Sequence, residues 1–119
     1  MGQFRFEDLN IWTDSIELTD KLFDIADNAE NKKLFRFAEQ LRGAGMSISN
    51  NIAEGSGSFS DKEFASFLNI ARRSVFECAN VLHLFHRRKI ISENEKIDVK
   101  KELLILSKKI TNFRKSLIK

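Results

Sequence analysis

The side chains here with any chemical reach are Cys78, the pair His83 and His86, and a serine-rich run from Ser47 to Ser60 that contains Gly55-Ser56-Gly57-Ser58. A carboxylate-bridged metal centre in a helical bundle needs Glu-x-x-His on each of two helices. Asn80 and His83 stand three residues before His83 and His86, so neither histidine completes that pattern. Two histidines three apart place no third ligand, and a histidine near a helix C-terminus is already accounted for by the helix dipole. Cys78 lies between Val75 and Leu82 in an apolar row. An activated thiolate wants an electropositive, partly open setting, so this cysteine reads as a small core hydrophobe. The serines have no histidine that spacing presents as a base. The Gly-Ser-Gly tract lacks the following Lys-[Ser/Thr] and the preceding strand of a phosphate loop. The expectation is a protein with no catalytic residues, no metal and no cofactor, and so not an enzyme.

The elements that carry these residues follow from apolar spacing. Ile11, Ser15, Leu18, Leu22 and Ile25 step by four and three, and Trp12, Ile16, Thr19, Phe23 and Ala26 repeat the steps one residue later. Leu34, Ala38, Leu41, Gly45, Ile48, Ile52 and Gly55 form a second seam, and Phe64, Leu68, Ala71, Val75, Cys78, Leu82 and Phe85 a third. Val99, Leu103, Leu106, Ile110, Phe113 and Leu117 form the last. Such rows put each set on one face of a helix. The spacing predicts an all-α, antiparallel up-down four-helix bundle, with helices over roughly 8–28, 32–56, 61–89 and 93–118, as one domain spanning 1–119. Asp8 is the expected N-cap of the first helix. Ser60 with Glu63 reads as a capping box, stapled by Phe59 on Phe64, and Ser92 with Glu95 as a second box. The Gly-Ser-Gly-Ser tract reads as the breaker after the second helix. The absence of proline favours long uninterrupted helices.

One cysteine permits no intramolecular disulfide, and no run approaches the ~20 apolar residues of a membrane span. A cytoplasmic protein without a membrane partner is expected. Net charge is +3, but residues 1–31 carry two basic and eight acidic side chains, while residues 98–119 carry seven basic and two acidic. The plain explanation is an acidic first helix beside a basic last one, within a subunit or between subunits. The alternative is a phosphate footprint. Its candidates are Arg72, Arg73, Arg87, Arg88, Lys89, Lys100, Lys101, Lys108, Lys109, Arg114 and Lys115. No helix-turn-helix, zinc finger or stacking motif accompanies them.

Opposite the apolar seam of the second helix come Gln40, Gly43, Ser47, Asn50, Asn51 and Glu54. Small polar residues replace the long charged ones of an ordinary solvent face, which points to close approach by another backbone, from a second protomer or from a neighbour in the same bundle. Phe35, Ile70, Phe76 and Leu84 also lie well off their own seams. Several displaced apolar residues on one small bundle point to self-association.

Ser47-Ile48-Ser49-Asn50-Asn51-Ile52-Ala53-Glu54-Gly55 resembles a motif of a known bacterial family. Ser60-x-x-Glu63-Phe64, then Phe67-Leu68-x-Ile70-Ala71-x-x-Ser74-x-x-Glu77, and the opening Phe6-Glu7-Asp8-Leu9-x-Ile11-Trp12, extend the likeness across essentially the whole chain. Together they look like the four-helix-bundle proteins encoded by intervening sequences in 23S ribosomal RNA genes, a family similar to the accessory protein of diversity-generating retroelements. Ser49 stands where that family has proline, and Arg73 where glycine is common. The resemblance implies a four-helix protomer in a ring-like homopentamer. Through the retroelement relatives it implies association with RNA or DNA and with a reverse transcriptase. Asn51, Ile52, Ala53, Glu54 and Gly55 are the matching motif, and their residue types suit helix packing and assembly.

Overall fold

The computed structural model of the chain describes residues 3–118. A 3-10 turn over Arg5–Asp8 leads into α1 (Asn10–Asn31), α2 (Phe35–Ser56), α3 (Asp61–Arg87) and α4 (Glu93–Leu117). No strand occurs among the described residues. Each helix packs on the next, and α4 returns to α1, while neither diagonal pair meets. The result is a closed square of four antiparallel rods, 44 Å long and 23 Å across in both directions.

The seams read from spacing are the core, except that in the second row of α1 Ile16 is exposed and Trp12 and Phe23 only half-buried, as is Leu34 before α2, because that row lies at the edge of the buried face. Every seam residue of α3 from Phe64 to Phe85 is buried, as are Ile11, Leu18, Leu22 and Ile25 of α1 and Leu41, Ile48 and Ile52 of α2. Val99, Leu103, Leu106 and Ile110 supply α4. Phe113 and Leu117 are half-buried and pack on the core's edge. Burial of a Leu, Ile or Phe side chain contributes ~1.5–3 kcal/mol, so four such rows hold the fold without metal or disulfide.

Small residues decide where helices come closest. Gly45 of α2 faces α1, and a Cβ there would stand 3.3 Å from Leu22 Cδ1. The Thr19 hydroxyl reaches its own helix's Ser15 carbonyl at 2.7 Å and the Gly45 carbonyl at 3.2 Å. Gly55 faces α3, where a Cβ would stand 2.6 Å from Phe67 Cβ and 2.8 Å from Phe64 Cδ1. The Gly-Ser-Gly-Ser tract is therefore only partly a breaker. Its first two residues are the last turn of α2, and Gly55 is there for lack of volume.

The helix ends depart from expectation in three places. Asp8 does not cap α1: it ends the 3-10 turn, and Leu9 takes the N-cap position with no side-chain acceptor. The cause is Glu7, whose carboxylate accepts from the backbone N–H groups of Gln3 and Phe4, each at 2.8 Å, and winds the preceding residues into their own turn. Ser60 accepts from Glu63 N–H at 3.1 Å, but the reciprocal half of that box is not formed, and Phe59 is fully exposed instead of stapled. Phe64 has turned inward, edge-on to Phe113 at 5.6 Å with the Arg5 guanidinium 5.0 Å over its face. The second box is complete, Ser92 and Glu95 exchanging bonds of 3.1 and 3.2 Å.

Third, α1 and α3 both end on a lysine in the left-handed region, Lys33 at φ 64° and Lys89 at φ 60°. Around Lys33 the Leu34 N–H donates to the Ala29 carbonyl and Lys33 N–H to Glu30; around Lys89 the Ile90 N–H donates to Phe85 and Lys89 N–H to His86. These are paired Schellman bonds, which spacing alone does not announce because the position favours glycine. They stop α1 at Asn31 and delay α2 to Phe35, against an expected break near residues 28–32.

Two substitutions test this account by denaturant unfolding. Gly55→Ala is expected to destabilise by ~1–3 kcal/mol, since Phe67 Cβ cannot swing aside. Lys33→Gly is expected to stabilise by ~0.5–1 kcal/mol, the left-handed strain of a side-chain-bearing residue being relieved.

Candidate functional site

The residues with chemical reach are dispersed. Cys78 is fully buried, and burial pushes its thiol up to about 12, with the Glu77 charge adding to the effect. His83 is exposed. His86, in the last turn of α3, has its Nε2 2.8 Å from Glu93 Oε2 at the start of α4, and Lys96 reaches the other Glu93 oxygen at 3.3 Å. Among the described residues no three His, Cys, Asp or Glu side chains gather as a metal would require. No helix among them is long and apolar enough to cross a membrane.

The candidate sites are surfaces. On the back of α2, Gln40, Gly43, Asn50 and Glu54 are exposed, and a Cβ on Gly43 would meet nothing within 4 Å. Ser47 and Asn51 are half-buried and belong to a chain of hydrogen bonds linking α2 to α3. Asn51 Nδ2 donates to the Ser47 carbonyl at 2.7 Å and to its hydroxyl at 3.0 Å. Ser47 and Ser74 hydroxyls lie 2.8 Å apart, and Ser74 donates to the Ile70 carbonyl at 3.1 Å. Ser74 has one proton, so when it donates to Ile70 the Ser47 hydroxyl is the donor between the two serines. Part of the small polar character of α2 thus serves its own bundle, and the rest remains open.

The apolar candidates are exposed but do not share one face. Ile70 and Leu84 flank the α2/α3 side on which Ser47 meets Ser74, Phe76 flanks α4, and Phe35 sits at the start of α2 near the α1 turn. Spacing missed three more exposed apolar residues on α4, namely Ile97, Leu104 and Ile105. Ile97 and Leu104 are seven apart, a second row beside the core seam that was readable from sequence.

The eleven cations divide into committed and free. Lys109 bridges Asp14 of α1 at 2.8 Å. Arg114 Nε donates to the Ala65 carbonyl at 3.0 Å, and the Arg72 guanidinium lies 4.9 Å over the Phe76 ring. Arg73, Arg87, Arg88, Lys89, Lys100, Lys101, Lys108 and Lys115 are exposed and form no ion pair among the described residues. Arg87, Arg88 and Lys89 are consecutive at the α3–α4 turn. The acidic α1 does lie beside the basic α4, joined by Lys109–Asp14 and, in the reverse sense, by Lys21–Glu102 at 2.7 Å. The bond from Glu102 raises the Lys21 ammonium above its ordinary value.

Charge reading alone missed a cluster. Arg42 of α2 holds Asp27 at 2.7 Å, Glu30 at 2.9 Å and Glu39 at 3.0 Å, and bonds to Asp27 and then Glu30 raise its guanidinium above the usual range. The signal was present as two i,i+3 acidic and mixed pairs, but their convergence depends on how α1 packs on α2.

The described residues thus form a square four-helix bundle with a closed core, an open polar back on α2 and a basic α3–α4 side. The 23S rRNA-intervening sequence protein model matches residues 7–112, and the chain belongs to that family. The fold is similar to a crystal structure from Bacteroides thetaiotaomicron VPI-5482 of a protein with unknown function from the S23 ribosomal protein family. The TM-score is 0.83 at 23% identity, over 88% of this chain and 98% of that one. No curated protein matches the chain.

The buried thiol generates a pH prediction. In the folded chain it stays protonated to about 12, against 9.0 unfolded, so its contribution to stability is complete below pH 9 and lost as pH rises from there towards 12. Cys78→Ala should remove that share of the alkaline decline in unfolding free energy. In the native protein at pH 8 Cys78 should react with a thiol reagent far more slowly than in denaturant.

Proposed function

We propose that this chain is a non-enzymatic, self-associating helical scaffold, working in the cytoplasm as the ring-like homopentamer that its family resemblance implies, and holding RNA or DNA on its basic surface. The observation that carries the nucleic-acid part is the set of exposed cations with no acidic partner, above all Arg87-Arg88-Lys89 at one turn. Phosphate contacts need charge held near the surface without a competing carboxylate, and are tolerant of sequence. Self-association is supported by Phe35, Ile70, Phe76 and Leu84, each 44–57% exposed on a chain of 13.8 kDa.

A second reading, a module that meets a protein partner and no nucleic acid, is favoured by the commitment of Arg72, Lys109 and Arg114 inside the protomer. The retroelement resemblance makes a reverse transcriptase the partner to try first.

Binding to a labelled single-stranded RNA or DNA, followed by fluorescence anisotropy across a salt series, separates the two. The scaffold reading expects affinity that falls steeply with salt. The triple variant Arg87→Gln, Arg88→Gln, Lys89→Gln should shallow the log–log slope by roughly 2 to 3, since each neutralised phosphate contributes about 0.7 to 0.9. An unchanged slope removes the turn from the interface, and no binding in low salt leaves the protein-partner reading.

A further inference from the structure

Two grooves of the bundle share α4 and differ in charge. The α3/α4 groove is lined by Lys62, Arg72, Lys100, Lys101, Lys108 and Arg114 and by no carboxylate. Its floor is apolar, with Phe76 55%, Leu104 54% and Ile97 46% exposed. The α1/α4 groove is lined by Asp14, Glu17, Asp24, Glu95 and Glu102 against Lys21 and Lys109. Both of those lysines are already bridged within the groove, to Glu102 and Asp14. Glu17 and Asp24 form no ion pair among the described residues, and Ile105, 46% exposed, shares the lining of the groove with Glu17.

We propose that the basic apolar groove between α3 and α4 receives the acidic α1/α4 face of a second copy of this chain, head to tail. The proposal rests on the self-association proposed above and names the two surfaces that make it.

Three physical reasons select this occupant. The floor suits a protein better than a nucleic acid: Ile97 and Leu104 offer no stacking plane, and the one aromatic ring, Phe76, has Arg72 over its face. A two-fold axis centred on either patch would set it against itself, six cations facing six in one case and unneutralised carboxylates facing carboxylates in the other, so like charges oppose that contact. Opposite charge instead steers the acidic face of one copy onto the groove of the next, where Ile105 can cover Leu104 and Phe76. Faces that share one helix are not opposite one another, so each added copy turns relative to the last and the row does not extend straight.

Light scattering on four samples of the full chain tests the pairing. They are the wild type, the groove variant Lys100→Glu with Lys101→Glu, the face variant Glu17→Lys with Asp24→Lys, and an equimolar mixture of the two variants. All four positions are exposed, so circular dichroism should show full helicity in each variant. Expected are a multi-copy wild type, at least tenfold weaker assembly of each variant alone, and recovery of pairing on mixing, in alternating and therefore even-numbered assemblies, since the reversed groove then meets the reversed face. Should charge reversal disturb folding, Lys100→Gln with Lys101→Gln and Glu17→Gln with Asp24→Asn give the same weakening without recovery. Variants that keep the wild-type mass, or a mixture that stays dissociated although both are folded, overturn the proposal. So does dissociation by Glu54→Arg alone, which would move the contact to the back of α2. Loss of RNA binding by the groove variant at unchanged mass would likewise overturn it, giving the groove to nucleic acid. A monomeric wild type defeats self-association itself, a separate failure.

Discussion

Helix α2 must come close to both α1 and α3, and the rest of the bundle depends on that approach. Gly45 and Gly55 are ten residues apart on one helix and face different neighbours. At the first, the missing side chain lets the Thr19 hydroxyl of α1 reach the backbone carbonyl of α2. At the second, it lets the Phe64 and Phe67 side chains of α3 lie against the backbone. With α2 clamped between its neighbours, the broad seam of α1 and the phenylalanine-rich seam of α3 are held at separations their side chains can fill. The fourth helix then closes the square through Phe113 on Phe64 and Arg114 on the Ala65 carbonyl. Glycine lowers helix propensity by about 1 kcal/mol, a loss offset by packing that no larger residue permits.

This explains which parts of the molecule were legible in the sequence. Rows of apolar residues at steps of three and four indicate which face of each helix turns to the core, because the position of a residue around the helix is set by its place in the sequence alone. Val75, Cys78 and Leu82 lie where that arithmetic puts them. Helix ends depend on competing local bonds. Glu7 rather than Asp8 organises the first turn, and two lysines adopt the conformation that glycine ordinarily marks. Gly55 was legible as a special position but not as to why, since a breaker and a close-packing residue share one letter. Phe59 and Phe64 illustrate the same ambiguity: five apart, they suit a staple, yet Phe64 gains more in the core than on its neighbour.

Surfaces are less legible for a reason of the same kind. A helical wheel reports that a residue lies off the seam without saying whether the adjacent helix, another molecule or water covers it. On the back of α2, Ser47 and Asn51 turn out to bond within the protomer while Gly43 meets open space. Among the cations, only packing distinguishes Lys109, which pairs with Asp14 of α1, from Lys108 beside it, which forms no ion pair among the described residues. Arg42 could not be assigned its three carboxylates before α1 and α2 were in register.

The thiol of Cys78 lies closed in the core, and the groups left unsatisfied among the described residues are on the surfaces. Six of the eight free cations fall into two groups with different surroundings. Those of the α3–α4 turn, Arg87 to Lys89, project from a helix end, where a phosphate chain can reach them from several directions. Those along α4, Lys100, Lys101 and Lys108, border aliphatic side chains that gain nothing from phosphate and gain about 25 cal/mol for each Å² covered by another apolar surface. A cation beside an apolar floor is worth most when both are covered by one partner bearing a carboxylate next to an aliphatic group, because desolvation then strengthens the pair and hides the floor together. The acidic α1/α4 face has that composition. Taken together, the two proposals would divide the cations, assembly using those along α4 and phosphate those of the preceding turn, so that neither contact competes for the other's charges.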